Sequence, residues 1–197
     1  MKILQVNSSV QTDQSVSRKL VTQITEQLGR GEATVVSRDL GKGELPLLSP
    51  EMVGAFYTSP TDRSAEQKAL LEVSDTLVAE LREADVLIFG VPIYNFGVPG
   101  ALKAYFDLVA RVGLTFQYTD QGPRGLLKNK RAYVVITSGG TGLGSTADFA
   151  SGHVRQFLNF LGIAAVEFIN ASQLLFGAEQ VLAKANAQVE ALAVATA

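Results

Sequence analysis

The sequence contains no cysteine and only one histidine, His153. Without cysteine there is no disulfide, no thiol nucleophile and no cysteine zinc site. A single histidine cannot build a histidine-rich metal site, so no metal ligand set is expected. No apolar run approaches the ~20 residues of a membrane span. The stretch Asp85–Val91 is too short and opens on a charge. The first residues, Met1–Asn7, read as a strand and not as a signal peptide. A cytoplasmic protein without membrane association is therefore expected. An excess of one charge is also missing. Seventeen basic residues stand against 19 acidic ones, a net charge of −2, which argues against a dedicated nucleic-acid binder. Difficult chemistry would have to come from a bound cofactor, a carboxylate, a hydroxyl or a lysine.

What is present is apolar and regularly spaced. Hydrophobic residues make up 47% of the chain and charged ones 18%, which excludes a disordered chain. A length of 197 residues fits one domain, residues 1–197. Five runs rich in β-branched and aliphatic residues read as strands: Ile3–Val6, Ala33–Ser37, Asp85–Val91, Arg131–Thr137 and Ile163–Ile169. Helical spacing follows each of them. Examples are Val16, Leu20, Ile24 and Leu28, and later Leu182, Ala185, Val189 and Leu192. Alternation of this kind implies an α/β fold with a doubly wound parallel sheet and helices on both faces. With five strands, the order 2-1-3-4-5 is expected. Two stretches exceed this minimal pattern. Gly41–Ser64 is long, and its Met52, Val53, Phe56 and Tyr57 suggest a short apolar turn. Gly113–Lys130 reads as a strand-like excursion or a hairpin projecting from the sheet.

In such a sheet, ligands bind beyond the carboxyl ends of the strands, where the strand order reverses. Three loops fall there. Asn7–Ser17 is rich in hydroxyls and enters a helix near Ser15, an arrangement able to hold a phosphate. It lacks the GxxxxGK[ST] pattern of a P-loop. Pro92–Gly100 carries Tyr94, Asn95 and Phe96, suited to a planar ring and a heterocycle edge. Ser138–Ser145 is glycine-rich and lets backbone approach a ligand. Each loop also admits a plainer reading, as a capped helix start, a packed turn or a flexible link. Gly142–Ala147 matches GxGxxA, the outline of a dinucleotide fingerprint. That reading leaves the other two loops unexplained. The helix after this loop is apolar over a wide arc, and Phe149, His153 and Phe160 should face a subunit interface or a substrate pocket. His153 reads as a hydrogen-bonded interface residue more readily than as a base.

Taken together, these residues resemble the FMN-dependent NADH azoreductases of the NAD(P)H:quinone oxidoreductase group, which have a flavodoxin-like fold. The resemblance covers essentially the whole chain. It rests on Pro92–Pro99 with Leu102–Asp107, on Gly113–Tyr118 with Gly122–Leu126, and on Asn7-Ser8-Ser9 with Ser15-Val16-Ser17. It implies a homodimer that binds FMN and uses NADH or NADPH to reduce quinones and azo compounds in two hydride-transfer steps. By resemblance, Ser9, Ser15, Val16 and Ser17 hold the FMN phosphate. Ile93, Tyr94, Asn95 and Phe96 contact the isoalloxazine and ribityl chain. Ser138, Gly139, Gly140 and Thr141 line the ring's other edge. Tyr118, Phe149 and Phe160 become candidates to bind substrate, with Tyr118 and Phe160 covering the flavin from the same subunit or from the partner. The loop departs from many relatives at Gly139, which bears on substrate shape. No side chain is expected to act as an essential acid or base. Two other classes share part of this pattern: a flavodoxin-type electron carrier, and an NAD-binding dehydrogenase or sensor using the Gly142 motif.

Overall fold

Two runs of the chain are apolar without alternation, Val86–Pro92 and Arg131–Thr137, and in the computed structural model they form the centre of a sheet covered on both faces. The structure describes residues 1–29 and 33–195. In chain order its elements are β1 (Lys2–Asn7), α1 (Val16–Gly29), β2 (Thr34–Asp39), α2 (Pro50–Tyr57), α3 (Ala65–Glu83), β3 (Val86–Pro92) and α4 (Gly100–Val109). They continue with β4 (Phe116–Thr119), β5 (Gly122–Gly125), β6 (Arg131–Thr137), α5 (Phe149–Leu161), β7 (Ala165–Ala171) and α6 (Ala178–Ala195). Five strands pair in parallel in the order β2-β1-β3-β6-β7, while β4 and β5 form a separate antiparallel hairpin. This is the expected 2-1-3-4-5 order once the hairpin is set aside.

Period-two alternation divides the core. On β3, Leu87, Phe89 and Val91 face the layer built by α3, α4 and α5, where Leu77, Leu81, Leu102, Phe106, Val154 and Leu158 are buried. Ile88 faces the opposite layer of α1 and α6, with Leu20, Ile24, Ala185 and Val189. Each such side chain contributes about 1.5–3 kcal/mol when fully buried. At Gly90 a Cβ would lie 3.1 Å from Val21 and 3.5 Å from Ser17 Cβ. The missing side chain lets α1 lie close on the sheet, directly below the first loop.

Several expectations need correction. The last strand begins two residues later than its apolar run suggested, because Ile163 is buried at the end of α5 and bonds back to Leu158 O. Gly41–Ser64 is more than a turn. Ser49 caps a full helix, α2, with Pro50 in its first turn. Of its four apolar residues, Met52 is buried, while Val53 and Tyr57 are exposed. Pro99 sits at the N-cap of α4, one position before the helix proper.

The N-terminus of α5 is capped by Asp148, whose carboxylate accepts from Ala150 N, Ser151 N, Ser151 Oγ and Gly144 N at 2.5–3.0 Å. Burial alone would raise this carboxyl, but the hydrogen bonds from Ser151, Gly144 and Ala150 outweigh it and hold it below the usual range. A lowered folded pKa stabilises the protein above the unfolded value and is lost as pH falls through the folded one. Asp148→Ala should therefore cost about 1–2 kcal/mol at pH 7. The gap to the parent should narrow below about pH 4. Urea unfolding of both proteins at pH 7 and pH 3 checks this, and an equal gap at both would deny the charged cap. No helix among the described residues is long and apolar enough to cross a membrane.

Candidate active site

β1, β3 and β6 are neighbours in the sheet, so their carboxyl ends bring the three unusual loops together. The first loop is held down on β3, where Ser8 N and Ser8 Oγ both donate to Gly90 O, at 3.2 and 2.7 Å. It then enters α1. Ser15 Oγ accepts from Arg18 N at 3.4 Å and lies 3.1 Å from Ser17 Oγ. Ser9, Ser15 and Ser17 are all buried. The N–H groups of Val16 and Ser17 have no acceptor among the described residues, as the first turn of a helix requires. That turn carries no acidic side chain. Polar donors and a partial positive charge thus converge where nothing of opposite sign answers them. Asn7 adds a buried Oδ1 without a hydrogen-bond partner among the described residues.

The second loop is a two-residue turn. Tyr94 and Gly97 exchange backbone hydrogen bonds at 3.1 Å, and the residues between them, Asn95 (φ 49°) and Phe96 (φ 70°), are both left-handed. This is the pattern of a type I′ turn, which favours Asn-Gly. Asparagine suits the first position, but phenylalanine at the second costs roughly 1–2 kcal/mol. Phe96 is 56% exposed at the carboxyl end of β3. The turn is tied on both sides. Tyr94 OH accepts from Val10 N at 3.2 Å and lies 3.3 Å from Ser9 Oγ, while Phe149 N donates to Phe96 O at 3.1 Å. Ile93 N donates to Thr137 O at 2.7 Å.

The third loop presents backbone only. The Ser138 hydroxyl is spent within the fold, donating to Thr141 O and accepting from Gln173 N. The carbonyls of Ser138 and Gly139 accept from Leu174 N and Leu175 N. The N–H groups of Gly139, Gly140 and Thr141 have no acceptor among the described residues. Gly142–Ala147 does not form a dinucleotide turn. Asp148 fills the helix start that a pyrophosphate would need, and its charge would repel one.

Sequence reasoning missed the parts that brace these loops. Arg18 donates to Gln11 O and Ser9 O at 2.7 Å each and pairs with both Asp39 carboxylate oxygens at 2.7 and 2.9 Å. The Arg18 guanidinium keeps Asp39 below the usual carboxylate range despite partial burial. The signal was available, since Arg18 stands three residues after the helix-starting Ser15 and so faces the loop. The segment Leu174–Phe176 also went unread. It pins the glycine loop and exposes Leu175 and Phe176 beside it.

The three aromatics proposed for substrate are not gathered in one chain. Phe149 opens α5 beside the Phe96 turn and is exposed. Phe160 lies near the other end of α5, 4.5 Å from Phe116, whose ring meets Tyr118 edge-on at 5.4 Å. Eleven residues of helix separate Phe149 from Phe160, roughly 16 Å. His153, between them, packs edge-on against Phe106 at 5.5 Å and makes no hydrogen bond to the described residues. Burial and the nearby Lys103 lower its pKa.

Comparison with known proteins agrees with this architecture. Residues 1–193 match the family described as Flavodoxin-like fold. The FMN-dependent NADH:quinone oxidoreductase 1 of Jannaschia sp. (strain CCS1) is 50% identical over 191 residues, covering 97% of this chain and 98% of that protein. The protein of the same name from Hahella chejuensis is 47% identical, covering 96% and 94%. Among solved structures, an azoreductase from Bacillus anthracis str. Sterne superposes with a TM-score of 0.89 at 27% identity, covering 98% of each chain. An FMN-dependent NADH-azoreductase from Bacillus anthracis str. Ames Ancestor, solved in complex with FMN, shares the fold with a TM-score of 0.87 at 23% identity, covering 100% of this chain and 99% of that one. With the family model matched over residues 1–193 and relatives 47–50% identical along nearly their whole length, the chain belongs to the flavodoxin-like family of FMN-dependent NADH:quinone oxidoreductases and azoreductases.

Proposed function

We propose that residues 1–197 form one FMN-binding domain of a cytoplasmic enzyme that uses NADH to reduce quinones, and azo compounds beside them, in two successive half-reactions. The observation that carries this reading is one juxtaposition. An acid-free helix start with buried Ser9, Ser15 and Ser17 follows β1 and three unspent N–H groups follow β6, with the strained Phe96 turn at the end of β3 between them. The residues fit the cofactor at both ends. Ser15, Ser17 and the first N–H groups of α1 would hold its phosphate, with Ser9 beside them. Ile93, Tyr94, Asn95 and Phe96 would flank the ring system. Gly139, Gly140 and Thr141 would donate hydrogen bonds where negative charge develops on reduction, the role of preorganised donors. Ser138 serves by holding that loop in shape. FMN, when bound, supplies the two-electron chemistry that side chains cannot.

The separation of Phe149 from Phe160 supports a homodimer with the site at the subunit interface. Tyr118 and Phe160 of one copy would cover the crevice of the other, while Phe149 meets substrate in its own. Exposed Phe96, Phe149, Leu175 and Phe176 surround that crevice with apolar surface. The visible spectrum of the purified protein tests the assignment. A yellow protein bleached by NADH without oxygen, and recoloured by a quinone, is the expected result. Colour that persists with NADH would indicate an electron carrier, and a colourless protein that binds NADH would indicate the dinucleotide reading.

Asn95 is exposed, and its side chain has no hydrogen-bond partner among the described residues. Asn95→Ala should raise the Kd for FMN by roughly tenfold, the equivalent of one or two hydrogen bonds. Turnover of flavin-saturated enzyme should change less. Fluorescence titration with FMN and steady-state rates at saturating FMN separate the two. Unaltered FMN affinity would count against the role.

A further inference from the structure

Arg18 belongs to the first turn of α1, next to the serines assigned above to the FMN phosphate. A cation at that place invites a direct role, as counter-charge to the phosphate. Its hydrogen bonds point elsewhere. Nε donates to Gln11 O, Nη2 to Ser9 O and Asp39 Oδ1, and Nη1 to Asp39 Oδ2, all at 2.7–2.9 Å. Of the guanidinium's N–H donors, a single one on Nη1 is left over. The charge is answered as well. Asp39 meets the fork with both carboxylate oxygens, and the two side chains are only 18% and 26% exposed. The pair is neutral as a unit and offers a phosphate little net attraction.

What the pair does hold is backbone. Arg18 N donates to Ser15 Oγ at 3.4 Å while its side chain grips Ser9 O and Gln11 O. One residue thus spans both ends of the loop between β1 and α1. Gln11 N closes the near side by donating to Ser9 Oγ at 3.2 Å. Asp39 is fixed in turn. It ends β2, stands in register with Asn7 at the end of β1, and accepts from Gly41 N at 3.0 Å. The loop is therefore anchored through Arg18 to the edge strand of the sheet. A planar fork that meets a carboxylate and two carbonyls fixes direction as well as distance, which a lysine ammonium does not.

We infer that Arg18 and Asp39 are a positioning pair that makes the protein select the phosphorylated flavin, a role that rests on the FMN reading above. They act by holding the Ser9–Ser17 loop in shape and not by supplying charge to the phosphate. The test is fluorescence titration of the full chain, stripped of FMN, with FMN and with riboflavin, which lacks the phosphate. The parent should bind FMN far more tightly than riboflavin. Arg18→Lys keeps the positive charge and loses the fork. Its Kd for FMN should rise about tenfold, the loss of one or two hydrogen bonds. Asp39→Asn keeps the size and removes the negative charge, leaving Arg18 without its counter-ion. Its Kd for FMN should also rise about tenfold, although the added positive charge would by itself tighten a phosphate. The Kd for riboflavin should stay within about twofold of the parent in both variants, which also reports that the fold survives. Parental FMN affinity in Arg18→Lys, or parental or tighter FMN affinity in Asp39→Asn, would make charge the operative property and overturn the proposal. Equal weakening of FMN and riboflavin would mean a general loosening of the fold and overturn it too. A parent that binds neither flavin would refute the FMN reading itself.

Discussion

Gly41→Ala is expected to cost the protein most of its grip on FMN while leaving the sheet intact. Gly41 lies in the single turn of 3-10 helix after β2, Leu40–Lys42, and its N–H donates to Asp39 Oδ1 at 3.0 Å. A Cβ there would lie 2.0 Å from Ser9 O and 2.7 Å from Arg18 Nη2. These two atoms already share a 2.7 Å hydrogen bond. A methyl group would push between the first loop and its brace, and no change of rotamer relieves a clash with backbone. Over-packing of this kind costs about 1–3 kcal/mol. If the loop moves to relieve it, the cost falls on the hydroxyls that follow Ser9. The Kd for FMN should rise between about fivefold and about 150-fold. Titration of apoprotein with FMN, beside a far-ultraviolet spectrum to confirm the fold, measures it. Parental affinity would show that the brace does not shape the phosphate end.

Gly125→Ala should act on the fold and the substrate side together. The β4–β5 hairpin lies against the carboxyl end of α5, where Leu127 N donates to Leu161 O at 2.9 Å. A Cβ on Gly125 would stand 2.0 Å from Gly162 N and 2.2 Å from the carbonyl carbon of Leu161. Backbone meets backbone there, so one segment has to lift away. Gly162 cannot yield easily, because its left-handed φ of 98° closes α5 through bonds to Asn159 O and Leu158 O. A loss of roughly 3 kcal/mol or more is expected, read as a lower urea midpoint. Because Tyr118 rides on this hairpin, quinone reduction should fall further than FMN content does. A stable variant with full activity would mean that the hairpin does not pack as described.

The sheet was legible because its strands are apolar at a period that nothing else in the chain imitates. The central runs Val86–Pro92 and Arg131–Thr137 were placed to within a residue. The β4–β5 hairpin was only half legible: Gly-Pro-Arg-Gly looks like turn chemistry but forms strand β5, and the turn is Asp120-Gln121. Helix α2 was not, since three prolines make Gly41–Ser64 look like loop, whereas Pro50 is a favourable helix start once Ser49 caps it. The candidate site was legible as composition: hydroxyls, aromatics and glycines at three strand ends. Its bracing was not. Arg18 and Asp39 are 21 positions apart and meet only because β2 runs beside β1. Gly41 and Gly125 have no special backbone angle to betray them. Their importance is a matter of what stands next to them in space.

Two strand–loop–helix units open on the same edge of the sheet, and they treat charge in opposite ways. At α1 the helix start is bare of acid, whereas at α5 Asp148 stoppers it with the chain's own carboxylate. For the FMN proposed above, an elongated guest with one anionic tip, this favours a single sense of entry, tail toward β1 and head toward β6. Polarity of entry is thus written into the scaffold before any contact with the rings is made, and a guest of reversed charge finds no equivalent berth.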